Sequence, residues 1–113
     1  MIRILTVLAV LTWANGAQAD SAEDKLAATN KLAEIRTAEP YCPDLKVNEA
    51  MAAEAVAKYG IDLNSIEAKI QAAKKLAMAQ RSVKKAGAKA WCAALEFMYG
   101  AKGIAGKNML LRK

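Results

Sequence analysis

Apolar side chains recur at helical spacing along most of this chain, and most regularly between Ala88 and Tyr99. There Ala88, Trp91, Cys92, Leu95, Met98 and Tyr99 stand at i, i+3, i+4, i+7, i+10 and i+11, the period of one helix face. Gly87 and Gly100 bracket the run, so a helix is predicted over 88–99. Three weaker patterns precede it. Residues 21–38 place Leu26, Thr29, Leu32, Ala33 and Arg36 at helical spacing, with Ile35 alongside. Ser21-Ala22-Glu23-Asp24 resembles a capping box, and acids in the first turn suit the helix dipole. The residue before a proline avoids helical backbone, so this helix is expected to end before Glu39-Pro40.

Pro40-Tyr41-Cys42-Pro43-Asp44 then reads as a stiff, non-helical connector. Asn48 offers an N-cap to a second helix over 49–58, with Met51, Ala55, Val56 and Tyr59 as its apolar stripe. Gly60 followed by Ile61 has the form of a left-handed cap and its hydrophobic follower. Asp62-Leu63-Asn64-Ser65 supplies caps for a third helix to about Ala86. Its expected core face is Ile66, Ile70, Ala73 and Ala77, at i, i+4, i+7 and i+11. Lys84 interrupts that stripe, and Leu76 and Val83 take over beside it, so the helix either rotates its contact or bends near Arg81. The tail from Ala101 to Lys113 is expected to be loosely ordered, with Leu110 or Leu111 tucked onto the domain. Runs of β-branched and aromatic residues are absent, so no strand is predicted. The fold class is therefore all-α: a small bundle of about four helices around an Ala-rich core.

The N-terminus changes the setting of that bundle. Met1-Ile2-Arg3 is a short basic start, residues 4–11 form a compact apolar run, and Ala17-Gln18-Ala19 is a small-x-small site before Asp20. This is the layout of a secretory signal peptide, and the run is too short to span a bilayer. Residues 1–19 are read as removed and residues 20–113 as one domain, periplasmic or secreted and soluble. Position 20 is Asp, so the lipid-attachment cysteine of a lipoprotein is missing. In that compartment the only two cysteines, Cys42 and Cys92, are expected to form a structural disulfide. A redox pair, an intermolecular bridge and free thiols are the alternatives.

Charge divides the chain. Residues 20–67 carry five bases and ten acids, whereas residues 68–113 carry eleven bases and one acid, Glu96. Asymmetry of this kind points to polyanion or membrane-surface binding, unless the two halves pack together and their fields cancel. Lys74, Arg81 and Lys85 lie within about 40° on one side of the third helix, and Lys89, Lys102 and Lys107 extend the basic region. Lys75 and Lys84 point elsewhere. Read as a binding patch, these bases would take an acidic protein, an acidic polysaccharide or an anionic lipid surface; read as a solvated face, they keep a small helical domain soluble. Bases interleaved with aromatics, as single-strand binders use, are missing, so nucleic acid is not expected. Trp91 and Tyr41 are expected to pack over the disulfide, the alternative being a small aromatic-ligand pocket between the proline loop and the last helix.

Other chemistry finds few residues to carry it. The chain has no histidine, which removes the usual base of a nucleophilic triad and the Cys/His clusters of structural zinc. An EF-hand starting at Asp62 would need Gly at its sixth place and Glu at its twelfth, and Glu67 and Ala73 stand there. A phosphate loop at 101–108 fails at Ala101 and Asn108. C-x-x-C and C-x-x-C-H are both absent. No metal, cofactor or catalytic residue is assigned, and a small hydrolase or redox enzyme is the least favoured class. In size, export, helicity and one cysteine pair the layout resembles small periplasmic helical proteins such as the acid-stress chaperones; the resemblance carries no site residue. It implies an envelope chaperone or accessory factor as the alternative to a non-enzymatic binding protein.

Overall fold

A computed structural model of the protein describes residues 22–113. The expected export signal and Ser21 of the expected cap lie outside the described residues. Residues 22–36 form α1. Its buried side chains include Ala28, Leu32 and Ile35, with Ile35 wholly buried. Thr29, Leu32 and Ala33 of the expected stripe are buried, with Ile35 beside them, while Leu26 at its start is exposed and Arg36 at its end is half-buried.

α1 stops at Thr37, not at the proline. The Thr37 hydroxyl donates to the Glu34 carbonyl (2.6 Å), a local bond that competes with helix continuation. A single turn, α2 (Ala38–Tyr41), follows. Pro40 falls inside its first turn, where a missing N–H costs no helical bond. The expected non-helical connector is thus corrected at Pro40 and Tyr41, which are helical, while the chain from Cys42 onward does leave the helix.

Two short strands were not predicted and are present. β1 (Leu45–Val47) pairs antiparallel with β2 (Leu110–Arg112), in the register Leu45↔Arg112, Lys46↔Leu111 and Val47↔Leu110. Bonds from Asn48 N–H to the Met109 carbonyl (2.9 Å) and from Lys113 N–H to the Asp44 carbonyl (3.0 Å) lengthen the ladder at both ends. Val47 and Leu110 face each other and are both buried. The tail is therefore ordered, with Leu110 rather than Leu111 as its anchor.

α3 (Glu49–Tyr59) begins where the Asn48 side chain accepts from Met51 N–H, and it ends at Gly60 with φ 61°. Ile61 donates to Val56 and is buried, as the cap pattern predicts. α4 (Ile66–Ala86) is capped by Ser65, whose hydroxyl accepts from Ala68 N–H (3.1 Å). Gly87 closes α4 and opens α5 (Ala88–Tyr99) at φ 93° and ψ 157°, a region that residues with a Cβ essentially do not enter. α5 carries the predicted stripe: Leu95 and Tyr99 are buried, and Trp91, Cys92 and Met98 are packed against the core.

α1 is the central element. Arg36 of α1 meets Glu49 at the start of α3, and Ala28 and Leu32 share a cleft wall with Ala55 and Tyr59, so α3 runs antiparallel to α1. Glu34 meets Lys75 (3.1 Å) while Thr29 lies beside Ala68, so α4 runs parallel to α1. Trp91 Nε1 donates to Thr37 Oγ1 (3.2 Å) and Tyr99 sits near Glu34, which makes α5 antiparallel to both. α4 and α5 are thus a hairpin about Gly87. The disulfide Cys42–Cys92 is formed, with Cα atoms 5.6 Å apart, and joins the end of α2 to α5.

Two stability outcomes are expected. Closing a loop of 50 residues is worth roughly 4 kcal/mol in the chain-entropy model, so Cys42→Ser with Cys92→Ser should lower the unfolding free energy by about 2–5 kcal/mol in urea. Gly87→Ala meets no steric neighbour, since nothing lies within 4 Å of an added Cβ. Its cost is conformational, about 1–3 kcal/mol; an unchanged denaturation midpoint would show that the α4–α5 corner relaxes freely.

Candidate anion-binding face and apolar cleft

α4 is built from two rows of side chains on opposite faces. Ala68, Ala72, Lys75, Ala79 and Val83 fall within about 80° of arc. Ala68 and Ala79 of this row are buried, and Lys75 and Val83 half-buried. Ile66, Ile70 and Ala77 lie about 140–180° from Ala79, and Ile66 is 78% and Ile70 47% exposed. The expected core face of this helix is therefore its outer face. Small residues point inward because they let α4 come close to α1 and α5. The expected takeover by Leu76 and Val83 is half realised: Val83 turns inward and Leu76 stays 39% exposed.

The six basic residues read from the sequence as a binding patch are exposed. Lys74, Arg81 and Lys85 share the outer side of α4; Lys89 is in the first turn of α5, and Lys102 and Lys107 are in the loop after it. The hairpin folds the end of α5 back to the level of Lys75, so Lys74 lies at the same end as the loop carrying Lys102 and Lys107. Lys85 and Lys89 flank Gly87 at the other end. None of the six makes an ion pair with a described residue.

Four of the ten described acids, Glu34, Glu39, Glu49 and Glu96, have basic partners. Arg36 forms a two-pronged pair with Glu49, Nη2 to Oε2 at 3.0 Å, and a second pair with Glu39 at 2.9 Å. The hydrogen bond to Glu49 raises the Arg36 guanidinium further above its ordinary value and holds the Glu49 carboxyl below its own. Glu96 accepts from Arg112 (2.6 Å), tying α5 to β2. Glu34 pairs with Lys75, the two side chains being only 16% and 20% exposed. The Tyr99 phenol is held above its usual range, first by burial and then by the Glu34 carboxylate. Periodicity alone could not reveal this inner cluster, because Lys75 is one more lysine in a lysine-rich helix and its partner is 41 residues away.

A cleft of about 470 Å³ opens between α1, α3 and α4. Leu32, Ala33, Ala52, Val56, Ala68 and Ala72 form its walls, and Arg36, Glu49 and Lys69 stand among its lining. A second cleft, about 450 Å³, lies between the proline loop and α5 over the disulfide. Tyr41 lines it and Trp91 does not; Trp91 instead bonds Thr37 on the core side. Phe97, in the last turn of α5, and Ile104, in the loop after it, are a further exposed apolar pair, with Ile104 N–H donating to the Phe97 carbonyl (3.4 Å).

Among the described residues no three Asp, Glu, Cys or His side chains converge to hold a metal ion. No described helix is long and apolar enough to cross a membrane. No family model, curated protein or solved structure matches the chain.

The inner cluster makes a specific prediction. Glu34→Gln leaves the Lys75 ammonium half-buried without its partner and should cost about 1–2 kcal/mol, less than a fully buried pair because water reaches both groups. Spectrophotometric titration should also show the Tyr99 phenol moving part-way back down. An unmoved phenol would mean that burial alone sets it.

Proposed function

We propose that this protein is an exported, non-enzymatic binding protein that engages an anionic macromolecule or surface through the α4–α5 hairpin and the loop that follows it. One observation carries the reading: Lys74, Arg81, Lys85, Lys89, Lys102 and Lys107 are exposed and paired to no described acid. If the halves merely cancelled each other's fields, these bases would face the acids of residues 22–67. The acids of that stretch that are paired, Glu34, Glu39 and Glu49, meet Lys75 and Arg36 instead. Export is supported by the signal-like residues 1–19 and by the formed Cys42–Cys92 bond, since such bonds persist in oxidising compartments.

Charge fields of this kind attract a polyanion over roughly one Debye length, about 8–10 Å at moderate salt. The triple variant K74Q/R81Q/K85Q should therefore bind anionic vesicles or a sulfated polysaccharide about two orders of magnitude more weakly at low salt, at about 1 kcal/mol per basic residue near a charged surface. Its melting temperature should stay unchanged. Native protein with no measurable affinity for any of these at low ionic strength would overturn the proposal.

A further inference from the structure

Charge does not account for the apolar half of the outer face of α4. Ile66 and Ile70 head a row that Ala73 and Ala77 continue at helical spacing, and Leu63, 51% exposed, stands one turn ahead of it. Single exposed apolar residues are ordinary on a soluble protein; a row on one helix face is a surface. Lys74, Arg81 and Lys85 run beside it, about 70° round the helix, and Lys69 borders it by about the same angle on the other side. Glu67, in the first turn, is the one acid on the helix.

Three occupants can be weighed against this face. A sulfated or carboxylated polymer would meet the lysines and leave Ile66 and Ile70 in water. A second copy of the chain would cover the isoleucines, but it would bring the Lys74–Arg81–Lys85 row against a like-charged row, which is repulsive. An anionic bilayer satisfies both rows: isoleucines enter the boundary between headgroups and acyl chains while lysine stems reach outward to the phosphates. Resting on the anion-binding reading above, we infer that α4 lies flat on an anionic lipid bilayer, with Ile66 and Ile70 inserted and Lys74, Arg81 and Lys85 on the headgroups. The surrounding bundle stays folded, because Ala68 and Ala79 on the opposite face of α4 are already buried.

The test is co-sedimentation of the purified, disulfide-bonded protein with vesicles of equimolar phosphatidylglycerol and phosphatidylcholine, with pure phosphatidylcholine vesicles and with a sulfated polysaccharide. Ile66→Ser with Ile70→Ser should weaken binding to the anionic vesicles about ten- to a hundredfold and leave polysaccharide binding unchanged. A thermal melt shows whether the variant is folded. In a second measurement, the fluorescence of Ile70→Trp should shift to the blue on adding anionic vesicles and not on adding polysaccharide. Vesicle binding that ignores the isoleucines but is lost in K74Q/R81Q/K85Q would overturn the insertion while leaving the anion-binding reading standing. Loss of binding in Phe97→Ser with Ile104→Ser instead would move the inserted surface off α4 and overturn it too. Concentration-dependent dimerisation abolished by the isoleucine substitutions, without vesicle affinity, would assign the face to a second copy. Failure to bind either anionic partner would remove both readings.

Discussion

The Cys42–Cys92 bond is the tie on which the other long-range contacts depend. It holds the exit of α2 against α5, and three further connections gather round it. Trp91, one residue before the cysteine, reaches back to Thr37. Leu45, three residues after Cys42, begins the strand that pairs with the tail. Glu96, one turn beyond Cys92, grips Arg112 in that tail. The core supplies limited stability of its own: many of its members are alanines, and the fully buried large side chains are Ile35, Leu95 and Leu110. A chain of this length buries a modest fraction of its surface, so a covalent link across 50 residues carries weight that a larger core would not need.

Alanine also explains how the helices choose their neighbours. α4 turns Ala68 and Ala79 inward and its isoleucines outward. Small side chains allow close approach to α1 and α5 and leave room for the half-buried Glu34–Lys75 pair beside Tyr99. The same smallness leaves the cleft between α1, α3 and α4, whose walls are mostly methyl groups. Binding surface and packing surface of α4 are thus two faces of one pattern.

Electrostatics divides along similar lines. Two acids of the first half are engaged at joints: Glu49 with Arg36 where α1 meets α3, and Glu34 with Lys75 where α1 meets α4. The bases of the second half remain mostly on the outside of the hairpin. Folding therefore turns a charge asymmetry along the chain into a surface on one side of α4, next to a row of apolar side chains whose exposure charge alone does not explain.

The sequence by itself determined the helical class, the caps and the cysteine pairing. Asn48, Ser65 and Gly60 act through bonds to residues three or four away, and such local geometry is written in local spacing. The last helix was legible for the same reason, since its large residues all fall on one face. Tertiary structure decided the rest. A three-residue strand at Leu110–Arg112 forms only because β1 is held in place to receive it, and no propensity in the tail announces that. Pro40 enters a helical turn because Thr37 breaks the helix first. Above all, α4 has an alanine row and an isoleucine row at the same period. Periodicity fixes the spacing within a row but not which row goes inside, and that choice belongs to the distance at which neighbouring helices can pack.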